Sequence, residues 1–437
     1  MQENQKRTTD NNWGKCLVSE HQHKDFSFIA NKTLEELQAK NPNLLIFPKR
    51  LGAHNDNIEK DKIFSLEENL LEEKKLTTSN FMGFVGCNAS QLSISSRFYP
   101  NSNDYFLHYM LQKVFALNIV DLKTNTENDN IWDIFLLYLF PYYLQKALNQ
   151  GLYKEYVQKE YNDANVKGSI QVARHLRQNM PFMGNIAYRT REHTPDNRMT
   201  QLIRHTIEYI KTHQFGSSII NNKYDIRANC NQIITSTPTY SRLSRHNIIA
   251  QNKKTIHHPY FIEYETLRRI CLQILRKEGI TSGKNDNEVY GLVFDGAWLW
   301  EEYLNTFLIH EGFKHTKNNT RENPIYIFEN DKYERFPDFF KEKEIVLDAK
   351  YKGLDTCSTI DRDDMHQIIT YIHILQVPKG GFVFPSNLET KPIEIGKLKG
   401  HRGFINKYPF YVPQNLNDWK TFKEEMKKQE DHLCKQI

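Results

Sequence analysis

Residues 335–352 read RFPDFFKEKEIVLDAKYK, two apolar, β-rich runs on either side of a charged break. The runs 333–340 and 345–352 have strand character, and 341–344 has the composition of the turn between them. A hairpin of this kind brings Asp338 and Asp348 close together. Because side chains alternate along a strand, Leu347, Ala349 and Tyr351 fall on one face of the second strand and Asp348, Lys350 and Lys352 on the other. Two carboxylates and an ammonium are thus expected to share a surface.

Those residue types at that spacing suit phosphodiester cleavage, which calls for a hard divalent cation to neutralise the phosphate and lower the pKa of an attacking water. Magnesium prefers oxygen ligands and keeps several waters, so two carboxylates and a main-chain carbonyl are protein enough for it. The expectation is that Asp338 and Asp348 are metal ligands, that the Ala349 carbonyl supplies a third oxygen, and that Lys350 orients the water or stabilises developing charge. Manganese is the expected substitute for magnesium. The bland alternative is a solvated hairpin whose acids and bases pair on its surface, because Asp-x-Lys is short and recurs freely.

Two further segments bear on that choice. In RDDMHQIITYIHIL, residues 362–375, helical spacing puts Asp364, Gln367 and Tyr371 on one side. Ile368, Ile369, Ile372 and Leu375 form the complementary apolar stripe. Gln367 and Tyr371 are suited to hydrogen-bond a phosphate or to hold the lysine. Upstream, FDGAWLWEEYLNTFLIHEGF, residues 294–313, has the pattern of a packed helix with Glu301 and Glu302 at its middle. Either glutamate is a candidate third acid, and either is equally readable as a surface acid on a packed helix.

In their order, Leu299-Trp300-Glu301, Pro337-Asp338, Asp348-Ala349-Lys350-Tyr351-Lys352, Asp364 and Gln367-x-x-x-Tyr371 resemble the PD-(D/E)xK nuclease domain of the McrC family. Members of that family are the endonuclease subunits of McrBC modification-dependent restriction systems. FMGFVGCNASQLSISSRFYPN (81–101), DYFLHYMLQKVF (104–115) and the run 166–207 are similar to the family's more N-terminal parts, so the resemblance covers roughly residues 80 to 385. It implies that Asp338 and Asp348 hold metal, that Lys350 is the catalytic lysine, and that Glu301 rather than Glu302 is the helical acid, since it follows the Leu-aromatic pair. It places Gln367 and Tyr371 on a RecB-like helix after the core strands. It also implies a partner, an AAA+ GTPase of the McrB type, with double-stranded DNA as substrate. The long polar N-terminus and the extended basic C-terminal tail depart from the family pattern.

Composition agrees with a multidomain chain. At 437 residues, with 23 Tyr and 26 Phe, there is material for about two or three ordinary cores. The start, MQENQKRTTDNNWGK, is polar throughout and shows no signal pattern. The most apolar run, residues 131–148, carries Asp133 and Pro141 and is too short for a bilayer of ~30 Å, so a buried helix and no membrane are expected. Six scattered cysteines without a C-x-x-C pair argue against zinc and against a secreted disulfide framework, and fit a cytoplasmic protein. The net charge of +5 is mild, but residues 166–260 hold 14 Lys and Arg against 4 Asp and Glu. Arg174, Arg177, Arg189, Arg191, Arg198 and Arg204, with Lys352, are the candidate DNA contacts through phosphates. The alternative is a set of solvated positive faces. GITSGKND, residues 279–286, resembles a phosphate loop but has Asn285 where Ser or Thr should bind magnesium and follows a helical run, so no nucleotide is expected on this chain.

The expected fold class is α/β (α+β). Residues 1–165 are read as a mixed β/α N-terminal domain that engages the partner, with strand-like pieces KDFSFIA (24–30) and NLLIFPKR (43–50). Residues 166–437 are read as a basic helical section leading into a restriction-endonuclease-like core, about 290–390, with a central mixed sheet flanked by helices. GGFVFPS (380–386) is an expected core strand and the last twenty residues a charged terminal helix. The leading expectation is a magnesium-dependent DNA endonuclease subunit acting on modified DNA. Two others stand beside it, a non-cleaving activator or anchor of an AAA+ motor and a stand-alone RecB-like repair exonuclease.

Overall fold

Phe81–Cys87, FMGFVGC, is buried along its whole length, and a strand without a polar side chain can only sit inside a sheet. In the computed structural model it is the centre of five strands, ordered Gln5–Thr9, Ser90–Ser95, Phe81–Cys87, Val289–Asp295, Leu45–Phe47. The residues described are 5–48, 58–68, 73–101, 103–117, 131–213, 216–221, 223–279, 289–316, 322–354, 360–400, 403–416 and 418–437. Val289–Asp295 is as fully buried as its neighbour, and it pairs antiparallel with Phe81–Cys87 and parallel with Leu45–Phe47. A strand two hundred residues downstream therefore completes the N-terminal sheet. The chain accordingly forms one compact unit from Met1–Trp132 with Asn285–Ile437 and a second from Asp133–Lys284, a partition that differs from the division expected at residue 165.

Gly83 shows why this sheet is built as it is. Its φ is +131°, and a Cβ there would lie 2.2 Å from the Leu292 carbonyl oxygen of the neighbouring strand. Only glycine allows the two backbones to approach so closely. Gly83→Ala is expected to destabilise the first unit by about 3 kcal/mol, since strain and overpacking combine at one position. A denaturant midpoint equal to that of the parent would contradict this.

The same unit holds a six-stranded mixed sheet ordered Lys314–His315, Phe339–Lys341, Ile345–Ala349, Lys379–Ser386, Phe404–Tyr411, Ile393–Lys397. The outer pairings are antiparallel, and Ile345–Ala349, Lys379–Ser386 and Phe404–Tyr411 run parallel. The hairpin expected at 333–352 is present with shorter strands, in register Phe339 with Leu347 and Lys341 with Ile345. Helix Arg362–Leu375 connects two parallel strands, with Asp363 and Asp364 in its first turn, where the helix dipole favours acids. Ile368 and Ile372 are buried as the apolar spacing requires, while Ile369 and Leu375 pack only partly. The helix lies close because Gly380 faces it: a Cβ there would meet Ile372 Cδ1 at 2.5 Å.

One element departs from expectation and another, the expected terminal helix, does more than its charge suggests. Residues 24–30 are not a strand, because Ser19 and Gln22 form a capping box that starts helix Glu20–Phe26. The terminal helix Trp419–Gln436 is more than a charged tail: Trp419, Phe422, Met426, Glu430 and Leu433 are buried at intervals of three and four. Glu430 accepts hydrogen bonds from Tyr109 and Tyr303, each at 2.9 Å, and pairs with Lys113.

In the second unit, helices Ile131–Asn149, Arg198–Thr212, Tyr224–Ser236 and Ile262–Gly279 are joined by a three-stranded antiparallel sheet of Glu155–Asp163, Ile186–Thr194 and Ser169–Ile170. The section from 166 is thus not wholly helical. Strand Glu155–Asp163 buries no residue, so alternation there has no apolar side to betray it. The apolar run 131–148 is helical as expected. Among the described residues no helix is long and apolar enough to cross a membrane.

Candidate active site

Hairpin register places Asp338 next to Asp348. Phe339 pairs with Leu347, and one residue further out the Asp338 carboxylate accepts the Ala349 N–H at 2.6 Å. Asp348 is almost wholly buried, and its Oδ2 lies 2.8 Å from Lys350 Nζ. Lys350 is itself held at its main chain, its N–H donating to the Val383 carbonyl at 2.9 Å. The same ammonium is 3.0 Å from Asp364 Oδ1 on the following helix. Asp338, Asp348 and Lys350 thus converge as the strand alternation predicts.

The electrostatics follow from burial in a mixed-charge cluster. Burial pushes the Asp348 carboxyl above its ordinary range, with Lys350 pulling the other way. For Lys350, burial acts to lower the ammonium's pKa, but Asp348, Asp338 and Asp364 outweigh it and the net shift is upward. Burial would raise Asp364 as well, but Lys352 and Lys350 draw it below the usual carboxylate value.

Asp364 emerges as the hub of this network, a role that its spacing to Gln367 hints at without specifying. It joins Lys350 to Lys352, whose Nζ lies 2.6 Å from Asp364 and 2.5 Å from Asp361. Lys352 is therefore committed to two carboxylates rather than presented as a lone phosphate contact. Gln367 donates to the Tyr371 hydroxyl at 2.8 Å, and Tyr371 donates in turn to the Phe336 carbonyl at 3.3 Å. Tyr371 is buried, and burial raises its hydroxyl above the ordinary tyrosine value.

Glu301 lies on helix Gly296–Leu308, which Asp295 starts by accepting the Trp298 N–H at 2.7 Å. Its Oε1 is 3.7 Å from His315 Nε2. Among the described residues no three His, Cys, Asp or Glu side chains gather as a metal-binding group; Glu301 faces His315, whose other nitrogen lies 2.8 Å from the Asp338 carbonyl. Two carboxylates with the nearby Ala349 main chain would form an all-oxygen donor set, of the kind that suits magnesium or manganese. Among the described cysteines, Cys16, Cys87, Cys230 and Cys271 are buried free thiols and Cys434 is partly exposed.

Just past strand Ile345–Ala349 the chain runs through Lys350 into Tyr351, which locks into the N-terminal sheet. Its hydroxyl is 2.7 Å from Ser96 Oγ and 3.1 Å from Met82 Sδ. Arg97 donates to the Tyr351 carbonyl and pairs with buried Asp10. Neither Arg97 nor Asp10 carries a sequence signal for this task, because they are some 250 residues or more from the hairpin.

In the second unit the candidate DNA contacts divide. Arg174 pairs with Glu160 at 2.7 Å, Arg198 with Glu155 at 3.3 Å and Arg204 with Glu208 at 3.0 Å. Arg191 lies over the Tyr156 ring at 4.8 Å and is exposed, as are Arg177 and Arg189. Of residues 279–286, whose sequence resembles a phosphate loop, all but Gly279 lie outside the described residues.

Five solved chains are similar to this one. One is from a half-complex of a tetradecameric assembly of Thermococcus gammatolerans McrB AAA+ hexamers with bound McrC, at 16% identity, covering 97% of this chain and 99% of that one with a TM-score of 0.49. Another is from the cryo-EM structure of the Thermococcus gammatolerans McrBC complex, at 14% identity, covering 72% and 89% of the respective chains with a TM-score of 0.32. Among curated proteins none matches. Residues 76–385 match the family described as McrBC 5-methylcytosine restriction system component, a span that includes both the central strands of the N-terminal sheet and the whole Asp338–Tyr371 cluster. The chain belongs to that family.

Proposed function

We propose that this chain is the cutting subunit of a modification-dependent restriction complex, a magnesium-dependent DNA endonuclease built on a PD-(D/E)xK core. The observation that carries the reading is the convergence of Asp338, Asp348 and Lys350 on one hairpin, with Lys350 Nζ set between Asp348 and Asp364. Asp338 and Asp348 hold the cation, with the Ala349 carbonyl as a third oxygen. A magnesium ion bound there supplies charge neutralisation for the phosphate and a water of lowered pKa. Lys350, bracketed by carboxylates, stays protonated and acts as a fixed donor toward the oxygen on which negative charge develops. Asp364 aims that ammonium, and the Gln367–Tyr371 pair steadies the loop that carries Asp338. Exposed Arg177, Arg189 and Arg191 follow the phosphate backbone without reading bases.

Membership in a family of system components supports a division of labour. The partner is an AAA+ GTPase of the McrB type, which recognises modified DNA and consumes GTP, while this chain cuts. Asp338→Ala and Asp348→Asn are expected to abolish cleavage of modified duplex DNA, assayed with the partner, GTP and magnesium, and to leave partner binding intact. Undiminished cutting by both variants would overturn the nuclease reading. Loss of cutting together with full partner GTPase stimulation would separate it from a purely activating role.

A further inference from the structure

Three consecutive carbonyls, those of Phe336, Pro337 and Asp338, are each held by a side chain from elsewhere in the fold. The Tyr371 hydroxyl donates to the first at 3.3 Å. Thr316 Oγ1 donates to the second at 2.6 Å. His315 Nδ1 lies 2.8 Å from the third, and since a carbonyl only accepts, Nδ1 carries the proton. Pro337 explains the arrangement. It has no N–H for a ladder, and the pairing of the edge strand with the hairpin ends at His315 and Phe339. Beyond that point the main chain has to be fixed by side chains, because buried carbonyls need partners.

Both residues are built in for this purpose. Thr316 is 1% exposed, and its hydroxyl points at the Pro337 carbonyl. The His315 ring is stacked on Phe339 at 4.9 Å with an interplanar angle of 21°, and its other nitrogen faces Glu301. From the opposite side the Asp338 carboxylate accepts the Ala349 N–H. Asp338 is thus held at its main chain by one strand and at its side chain by another.

We infer that His315 and Thr316 are positioning residues for the metal site, which fix the Pro337–Asp338 main chain so that the Asp338 carboxylate is already in place beside Asp348 when the cation arrives. The inference rests on the reading of Asp338 and Asp348 as metal ligands. A ligand held by outer partners binds without an ordering cost, and loss of such partners typically weakens metal affinity about 10- to 100-fold. A role confined to stability would lower the melting temperature and leave the affinity of the folded protein unchanged.

The test uses the full chain and Mn²⁺ as probe, with free Mn²⁺ followed by electron paramagnetic resonance and the Mg²⁺-induced rise in melting temperature as a second readout. Thr316→Val keeps the shape and removes the hydroxyl, and Thr316→Ser keeps the hydroxyl. His315→Phe keeps the stack and removes Nδ1, whereas His315→Asn keeps a donor. The Val and Phe variants are expected to raise the Mn²⁺ Kd about tenfold and to shrink the Mg²⁺ shift, with Ser and Asn near the parent. Asp338→Ala serves as reference and is expected to lose binding. Parent-like Kd values in both the Val and Phe variants, with binding lost in Asp338→Ala, overturn the positioning role and leave the metal site standing. Unchanged binding in Asp338→Ala overturns both. If Thr316→Val does not fold, equal Kd values in His315→Phe and His315→Asn overturn the role.

Discussion

Lys350→Ala is expected to lower magnesium-dependent DNA cleavage about 100- to 1,000-fold, the range found when a preorganised donor to developing negative charge is removed. Two consequences are combined in that substitution. The first is chemical, loss of the ammonium held between Asp348 and Asp364. The second is structural, because Asp348 has a side chain only 2% exposed and removal of one member of a buried pair costs about 3–5 kcal/mol when the other charge is left behind. Lys350→Ala combined with Asp348→Asn separates them. The double variant should recover the denaturant midpoint and remain inactive. Parent-like cleavage by the single variant, measured with the partner and GTP, would remove Lys350 from the reaction.

Arg97→Ala should be the most destabilising single change outside the hairpin, and it should also depress cleavage. Arg97 offsets the charge of Asp10, whose side chain is fully buried, and it supports the Tyr351 carbonyl one residue after Lys350. The expected loss is about 3–5 kcal/mol at neutral pH, a drop of roughly 10 °C in melting temperature for a unit of this size. The loss depends on pH in a determined direction. Burial raises the Asp10 carboxyl from 3.8 to about 6, with Arg97 opposing. A group whose folded pKa lies above its unfolded value contributes stability that is present below the unfolded pKa and lost as pH rises through the folded one. Without Arg97 the folded pKa moves higher still, so the gap between variant and parent should widen as pH rises through about 6 and stay small and flat toward acid, where Asp10 is protonated in both folded proteins. Arg97→Ala with Asp10→Asn should flatten that profile. A gap independent of pH would show that Asp10 is not the group involved.

The hairpin of the candidate site was legible because its determinants are local. Strand alternation over 345–352 sets Asp348 and Lys350 on one face, and helical spacing over 362–375 sets Asp364, Gln367 and Tyr371 on one side. Neither pattern depends on what the rest of the chain does. At Trp419–Gln436 the expected terminal helix is present, and only its packing face went unread, because five buried residues three and four apart are diluted by lysines and glutamates. Alternation was silent at Glu155–Asp163, because a strand that buries neither face leaves no hydrophobic period to read. At 24–30 the aromatic run suggested a strand, and the Ser19–Gln22 capping box decided for a helix.

His315, Thr316 and Arg97 act through carbonyls of Asp338, Pro337 and Tyr351, and a carbonyl has no side-chain identity for a sequence pattern to register. By itself, then, the sequence determined which carboxylates and which ammonium share the hairpin surface, the run of the helix behind them and the family to which the order of motifs belongs. Tertiary structure alone decided that Val289–Asp295 completes the N-terminal sheet, that Glu301 turns to His315, that Lys352 is held by Asp361 and Asp364, and that half of the candidate DNA-contacting arginines of the second unit are in ion pairs. The physical reason is range. Periodicity records what one element must bury, whereas pairing between residues hundreds of positions apart depends on which elements meet, and that is settled only when the core closes.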